Sequence, residues 1–130
     1  MPRILVYALF LLTSLGGIGL ASTSLVLGTI LPGWERLREE PVVSEARRIL
    51  RSYALQIPEV LCLSHEVHYR SSGRLFARSL YVDTWLESSG RLVPILEDRR
   101  QHILLFYPRF SSPRLVVVFQ LDEGLLLATC

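Results

Sequence analysis

The chain has 130 residues, half of them hydrophobic and a fifth charged, with a formal net charge of +2. So small a positive excess excludes nucleic-acid binding driven by bulk electrostatics, and two cysteines are too few for a disulfide framework. With a hydrophobic leader set aside, about a hundred residues remain, enough for one domain with a real core and too few for two.

The leader is the run from Ile4 to Gly33, which holds no charged side chain. A helix from Ile4 to Leu31 would be about 42 Å long. That exceeds a hydrocarbon core of about 30 Å, so such a helix would tilt, or bend near Gly16, Gly17 and Gly19. Tyr7 and Trp34 stand where the two interfacial aromatic belts would lie. Gly17 and Ala21 make a small-xxx-small pair suited to close helix packing, and Pro32-Gly33 would end the helix. This reading assigns 1–34 to a transmembrane anchor, 35–41 to a juxtamembrane linker and 42–130 to a small α+β domain. The rival reading is a secretory signal, with Arg3 as its basic start, Ile4–Leu15 as its apolar stretch and cleavage after Ala21. The apolar residues Leu25 to Leu31 are unusual for a mature N-terminus and favour a retained anchor. Arg36, Arg38, Arg47, Arg48 and Arg51 would hold the domain inside by the positive-inside rule. Three of these belong to a folded helix, however, and the short tail with Arg3 resembles a start that stays inside, so the reading places the domain on the exported side.

Pro41 suits the first turn of a helix, with Glu39 and Glu40 at its positive end. Val42, Val43, Ala46, Ile49, Leu50, Tyr53 and Ala54 recur at spacings of three and four and form one apolar stripe. Arg47, Arg48 and Arg51 fall off it. They are candidate contacts for an acidic partner or anionic lipid, although a solvated face with Glu45 pairing Arg48 is the plainer account. Pro58 closes the helix.

From Glu59 the period becomes two. Leu61, Leu63, Val67 and Tyr69 share one face of a predicted strand, and Cys62, Ser64, Glu66 and His68 share the other. Ser71-Ser72-Gly73 is a turn, Arg74 to Leu86 a second strand, and the sequence Ser-Ser-Gly-Arg-Leu recurs at Ser88 to Leu92, as at successive corners of a meander. Pro94 marks Leu92–Leu96 as an edge strand. His102–Tyr107, Leu115–Leu121 and Leu125–Thr129 complete an antiparallel sheet of about five or six strands, with the amphipathic helix packed on one face.

The chemistry-bearing residues are sparse. His65 and His68 stand three apart, so on a strand they point to opposite faces and cannot easily share an ion. Cys62 with His65 or His68 as its base would be a thiol nucleophile, but no helix N-terminus or local signature lowers its pKa. Asp83, Glu87 and Glu97 show no telling spacing, and the known phosphate-loop, nucleophile-elbow and zinc-protease motifs are missing from the sequence. A pocket gathering His68, His102 and an acid would be the mark of an enzyme. A Cys62–Cys130 disulfide is one use of the two cysteines; the plainer use is a buried free thiol and an incidental terminal residue. Trp85 and Phe110 are candidate partner contacts, Phe110 because it lies in a Pro-flanked loop. The edge strand around Pro94 and the final strand could accept a strand from another chain.

The order of elements is similar to that of small assembly proteins with one membrane helix, a soluble helix and a small sheet, a likeness of layout without a shared motif. The expected function is that of a non-catalytic, single-pass membrane-anchored accessory or assembly subunit, with membrane lipid and proteins of a larger membrane complex as partners, no nucleic acid and no cofactor. A secreted, signal-cleaved binding domain of cystatin-like or NTF2-like shape is the alternative. A pilin-like filament subunit is another, weakened because the apolar run lacks the acidic residue and processing site of that class.

Overall fold

A computed structural model describes residues 21–75, 86 and 89–130. Strands β1 (Ala21–Ser24) and β2 (Thr29–Pro32) form a hairpin of their own, followed by β3 (Glu35–Leu37), helix α1 (Glu40–Ala54), β4 (Glu66–Arg70), β5 (Gly90–Glu97), β6 (Gln101–Pro108), β7 (Arg114–Leu121) and β8 (Gly124–Thr129). Strands β3 to β8 make one sheet in the order β3-β4-β8-β7-β6-β5. Every pairing in it is antiparallel. Among the described residues the fold is therefore α+β, with helix α1 packed on a six-stranded antiparallel sheet.

Helix α1 forms where the three-and-four spacing predicts it. Pro41 opens it, and Val42, Ala46 and Leu50 are the buried positions of its stripe. They pack with Leu37, Val60, Val67, Tyr69, Ile103, Leu105, Leu115, Val117, Leu126 and Ala128 on one face of the sheet. Full burial of a side chain such as Leu50 stabilises by roughly 1.5–3 kcal/mol.

The opposite face is also covered. Leu104, Phe106, Val116, Val118, Leu125 and Leu127 pack against Leu27, Leu31 and Trp34 from the hairpin and its exit, and against Leu75 and Leu86. This double cover explains the unbroken apolar runs: Leu115 to Val118 and Gly124 to Thr129 are buried at every position, as strands sandwiched on both faces require. Among the described residues β5 is the outer strand, paired with β6 and bulged between Pro94 and Leu96, which fits a proline that cannot donate to a second neighbour.

Several expectations are corrected. The anchor helix was to reach Leu31, yet residues 21–32 form the β1–β2 hairpin, whose turn uses Gly28 at φ 69°. Ala21 thus lies in a strand and not on a helix-packing face. Trp34 is fully buried against the sheet, away from any lipid interface. Residues 35–37 of the expected linker are a sheet strand, with Glu35 and Leu37 buried. The strand expected from Glu59 begins at Glu66, and the final strand, expected to accept a partner, lies inside the sheet between β4 and β7. No helix among the described residues is long and apolar enough to cross a membrane. Tyr7, Gly17 and Trp85, and most of the strand expected at Arg74–Leu86, lie outside the described residues.

Candidate functional site

Alternation along β4 sends Val67 and Tyr69 to the helix side and Glu66 and His68 to the hairpin side, where both are almost wholly buried. A buried carboxylate must be saturated with donors, and Glu66 is. Its Oε1 accepts from Ser24 Oγ (2.5 Å) and faces His68 Nε2 at 3.1 Å. Its Oε2 accepts from the backbone N–H of Leu25 (2.8 Å) and Val26 (3.2 Å), with Arg36 Nη1 at 3.9 Å. Burial pushes the Glu66 carboxyl up, but the hydrogen bonds from His68, Ser24, Leu25 and Val26 outweigh it and hold the group down at about 2. The ionised carboxylate therefore binds the β1–β2 turn to the main sheet.

His68 continues the network, its Nδ1 lying 2.8 Å from Ser22 Oγ. Because ionised Glu66 only accepts, His68 Nε2 donates to it, and in the neutral ring Nδ1 then accepts from Ser22. The order serine, imidazole, carboxylate resembles a nucleophile relay. Here both serines are buried and the carboxylate is committed to the turn, so the arrangement acts as a structural clamp. A cavity of about 460 Å³ adjoins it, lined in part by Ser22, Trp34, Glu35 and Arg36. Burial, and then the charge of Glu39, raise the Glu35 carboxyl above its ordinary value.

A second cavity of about 460 Å³ lies at the other end of the hairpin turn, between residues 25–28 and the β6–β7 loop. Leu25 and Phe110, 77% and 98% exposed, stand at its rim with Arg109 and Arg114. The sequence singles out Phe110 from its flanking prolines; Leu25 joins it only because the presumed anchor turns out to be a hairpin.

The basic face of α1 is exposed at Arg48 and Arg51 and half-buried at Arg47. Arg48 is engaged by Glu45 through bonds of 2.6 and 3.2 Å. Beside this helix a disulfide joins Cys62 to Cys130, with Cα atoms 4.9 Å apart, in place of the free thiol that the plainer reading assigns. His65 lies with the two sulfurs, all three donor atoms within 4.8 Å of one another. Burial, followed by the charges of Arg47 and Arg51, lowers the His65 pKa.

The histidines are thus separated. His65 sits by the cysteines, His68 in the Glu66 clamp, and His102 on the same sheet face as His68 but three strands away, about 14 Å at the usual strand spacing. The structure does not gather His68 and His102 into one pocket. Glu66 is the residue that sequence reasoning passed over; its signal was a Glu-x-His pair on the strand face opposite Val67 and Tyr69. No family model matches the chain, and neither the curated proteins nor the solved structures contain a match.

Proposed function

We propose that this chain is a non-catalytic accessory domain, anchored in a membrane through the apolar run 4–20, that holds a protein partner of a membrane complex at the Leu25–Phe110 groove. The observation that carries the reading is Phe110 itself, a large aromatic 98% exposed beside exposed Leu25 over a preformed cavity. Leaving such a side chain in water forfeits burial worth a few kcal/mol, and aromatic anchors of this kind dominate protein interfaces. The run 4–20 would measure about 26 Å as a helix, near the hydrocarbon thickness. The Cys62–Cys130 disulfide supports an oxidising, exported location for the domain.

The same disulfide favours the alternative, a secreted domain cleaved after Ala21, because export is common to both. Intact mass and carbonate extraction of the native protein separate them: full-length mass in the membrane pellet for the anchor, a mass beginning at Ser22 in the soluble fraction for the secreted form. For the groove, a photo-reactive phenylalanine analogue at position 110 should yield one discrete protein adduct in native membranes, while the same probe at exposed Leu63 yields none. Phe110→Ala should weaken partner binding by about 30-fold, a loss of roughly 2 kcal/mol, with stability changed by less than about 0.5 kcal/mol. Adducts with lipid alone, or unchanged partner binding in the variant, would defeat the groove reading.

A further inference from the structure

Outside the groove and the clamp, the structure gathers one set of soft donors. Cys62 Sγ, Cys130 Sγ and His65 Nε2 or Nδ1 lie within 4.8 Å of one another at the junction of the post-helix loop and the end of β8. His65 Nε2 is buried and has no hydrogen-bond partner. A buried imidazole nitrogen without a partner is destabilising, and this one lies beside two sulfurs.

We propose that the dithiol form of this protein binds one Cu(I) ion through Cys62, Cys130 and His65, and that the disulfide is the metal-free, closed state of the same site. Three donors about 2.3 Å from one ion lie about 4 Å apart, a separation these side chains reach by modest rotation once the sulfurs are no longer bonded. Thiolate sulfur selects soft ions, Cu(I) and Zn(II) before others. Two features of the site favour Cu(I). The cluster contains no fourth protein donor among the described residues, whereas Zn(II) in a closed site takes four. Two thiolates and an imidazole leave a Cu(I) complex with one net negative charge, and Arg47 and Arg51 stand close enough to act on His65 electrostatically. With Zn(II) the complex would be neutral and the arginines would gain nothing.

Interconversion is balanced with a dithiol as reductant. Two electrons and two protons from the dithiol convert the Cys62–Cys130 bond into two thiols, and the dithiol closes into its own disulfide. Cu(I) then displaces the two thiol protons to solvent.

The test uses the full chain, in detergent if it is membrane-bound, under anaerobic conditions with a Cu(I)–bicinchoninate indicator. The reduced protein should withdraw one Cu(I) per chain and the oxidised protein none. His65→Ala should weaken binding by more than about tenfold, since even outer-shell partners of a metal are worth that much. That variant removes no hydrogen bond from Nε2, so an unchanged circular dichroism spectrum is expected and serves as the folding check. Cys62→Ser should abolish uptake, and sulfur-edge absorption should show copper–thiolate bonds in the wild type. Equal uptake by both redox forms, wild-type affinity in His65→Ala, or retention of Zn(II) in preference to Cu(I) would each overturn the proposal.

Discussion

Glu66→Gln is the substitution whose effect can be worked most fully from the structure. The carboxylate meets four donors, two on each oxygen: Ser24 Oγ and His68 Nε2 on Oε1, and the N–H groups of Leu25 and Val26 on Oε2. A glutamine offers one acceptor oxygen and one NH₂; with the oxygen towards the Leu25 and Val26 N–H groups, the NH₂ faces Ser24 Oγ and His68 Nε2, which lose their charged acceptor and must turn from donors into acceptors. The magnitude follows from the proton. Holding a carboxyl at about 2 in the folded chain against 4.5 as its ordinary value corresponds to roughly 3 kcal/mol, at about 1.4 kcal/mol per tenfold change. The folded value is the depressed one, so this stability is fully present above about pH 4.5, falls as pH drops towards 2, and is gone below it. Urea unfolding at neutral pH and in steps down to about pH 2.5 should show wild type roughly 3 kcal/mol more stable than Glu66→Gln at pH 7, with the two converging in acid. Glu45 is held below its ordinary value by its hydrogen bond to Arg48, and Glu35 is raised above it by burial. Both are common to the two proteins and cancel in the difference. Parallel pH profiles for wild type and variant would refute the clamp.

Two further substitutions probe the frame around it. Gly124→Ala should cost about 3 kcal/mol or more, because at φ 147° an added Cβ meets the Arg70 and Ser71 backbone; Gly28→Ala, also at positive φ but with open space around it, should cost only about 1–2 kcal/mol, and melting temperatures will rank them. Cys130→Ser opens a crosslink spanning 68 residues, worth about 4 kcal/mol by chain entropy, and should slow migration on a non-reducing gel; unchanged mobility would count against the bridge.

The helix, the β5–β8 part of the meander and the β5 edge were legible in the sequence because each depends on local pattern, whereas β4, expected to open the same meander, pairs with β3 and β8. Val42, Ala46 and Leu50 state a helical period, and Pro94 states an edge. The segment 21–34 was misread for a physical reason. A membrane helix and a hairpin buried against a sheet both want uncharged, apolar residues, and only Ser22, Thr23 and Ser24 hinted at a strand. Once the hairpin lies on the sheet, the double-sided burial of Leu115–Val118 has its cause, and so does Trp34's place in the core. Only the Glu-x-His pair of the Glu66 clamp is local; Ser24, Leu25 and Val26 lie 42, 41 and 40 positions away, so the rest of it could not be read.

The two special groups of side chains meet on one short segment. Glu66, at the start of β4, fixes the hairpin on one face of the sheet. Cys62, four residues earlier, holds the end of β8 next to the helix side. The sheet joins them, because Glu66 pairs with Thr129 and the following residue, Cys130, extends the ladder through reciprocal backbone bonds to Leu115. Residues 62–66 therefore tie the N-terminal hairpin to the C-terminal strand by a charge-assisted bond on one side and a covalent bond on the other. Acid releases the first and a reductant releases the second. The β5–β6–β7–β8 ladder contains neither group, although one of its apolar faces is covered by the hairpin that Glu66 holds. The groove at Leu25 and Phe110 takes one wall from the hairpin and the other from the meander. Its shape thus depends on the Glu66 clamp, and the partner binding proposed for it should weaken together with hairpin docking as the Glu66 carboxylate takes up its proton.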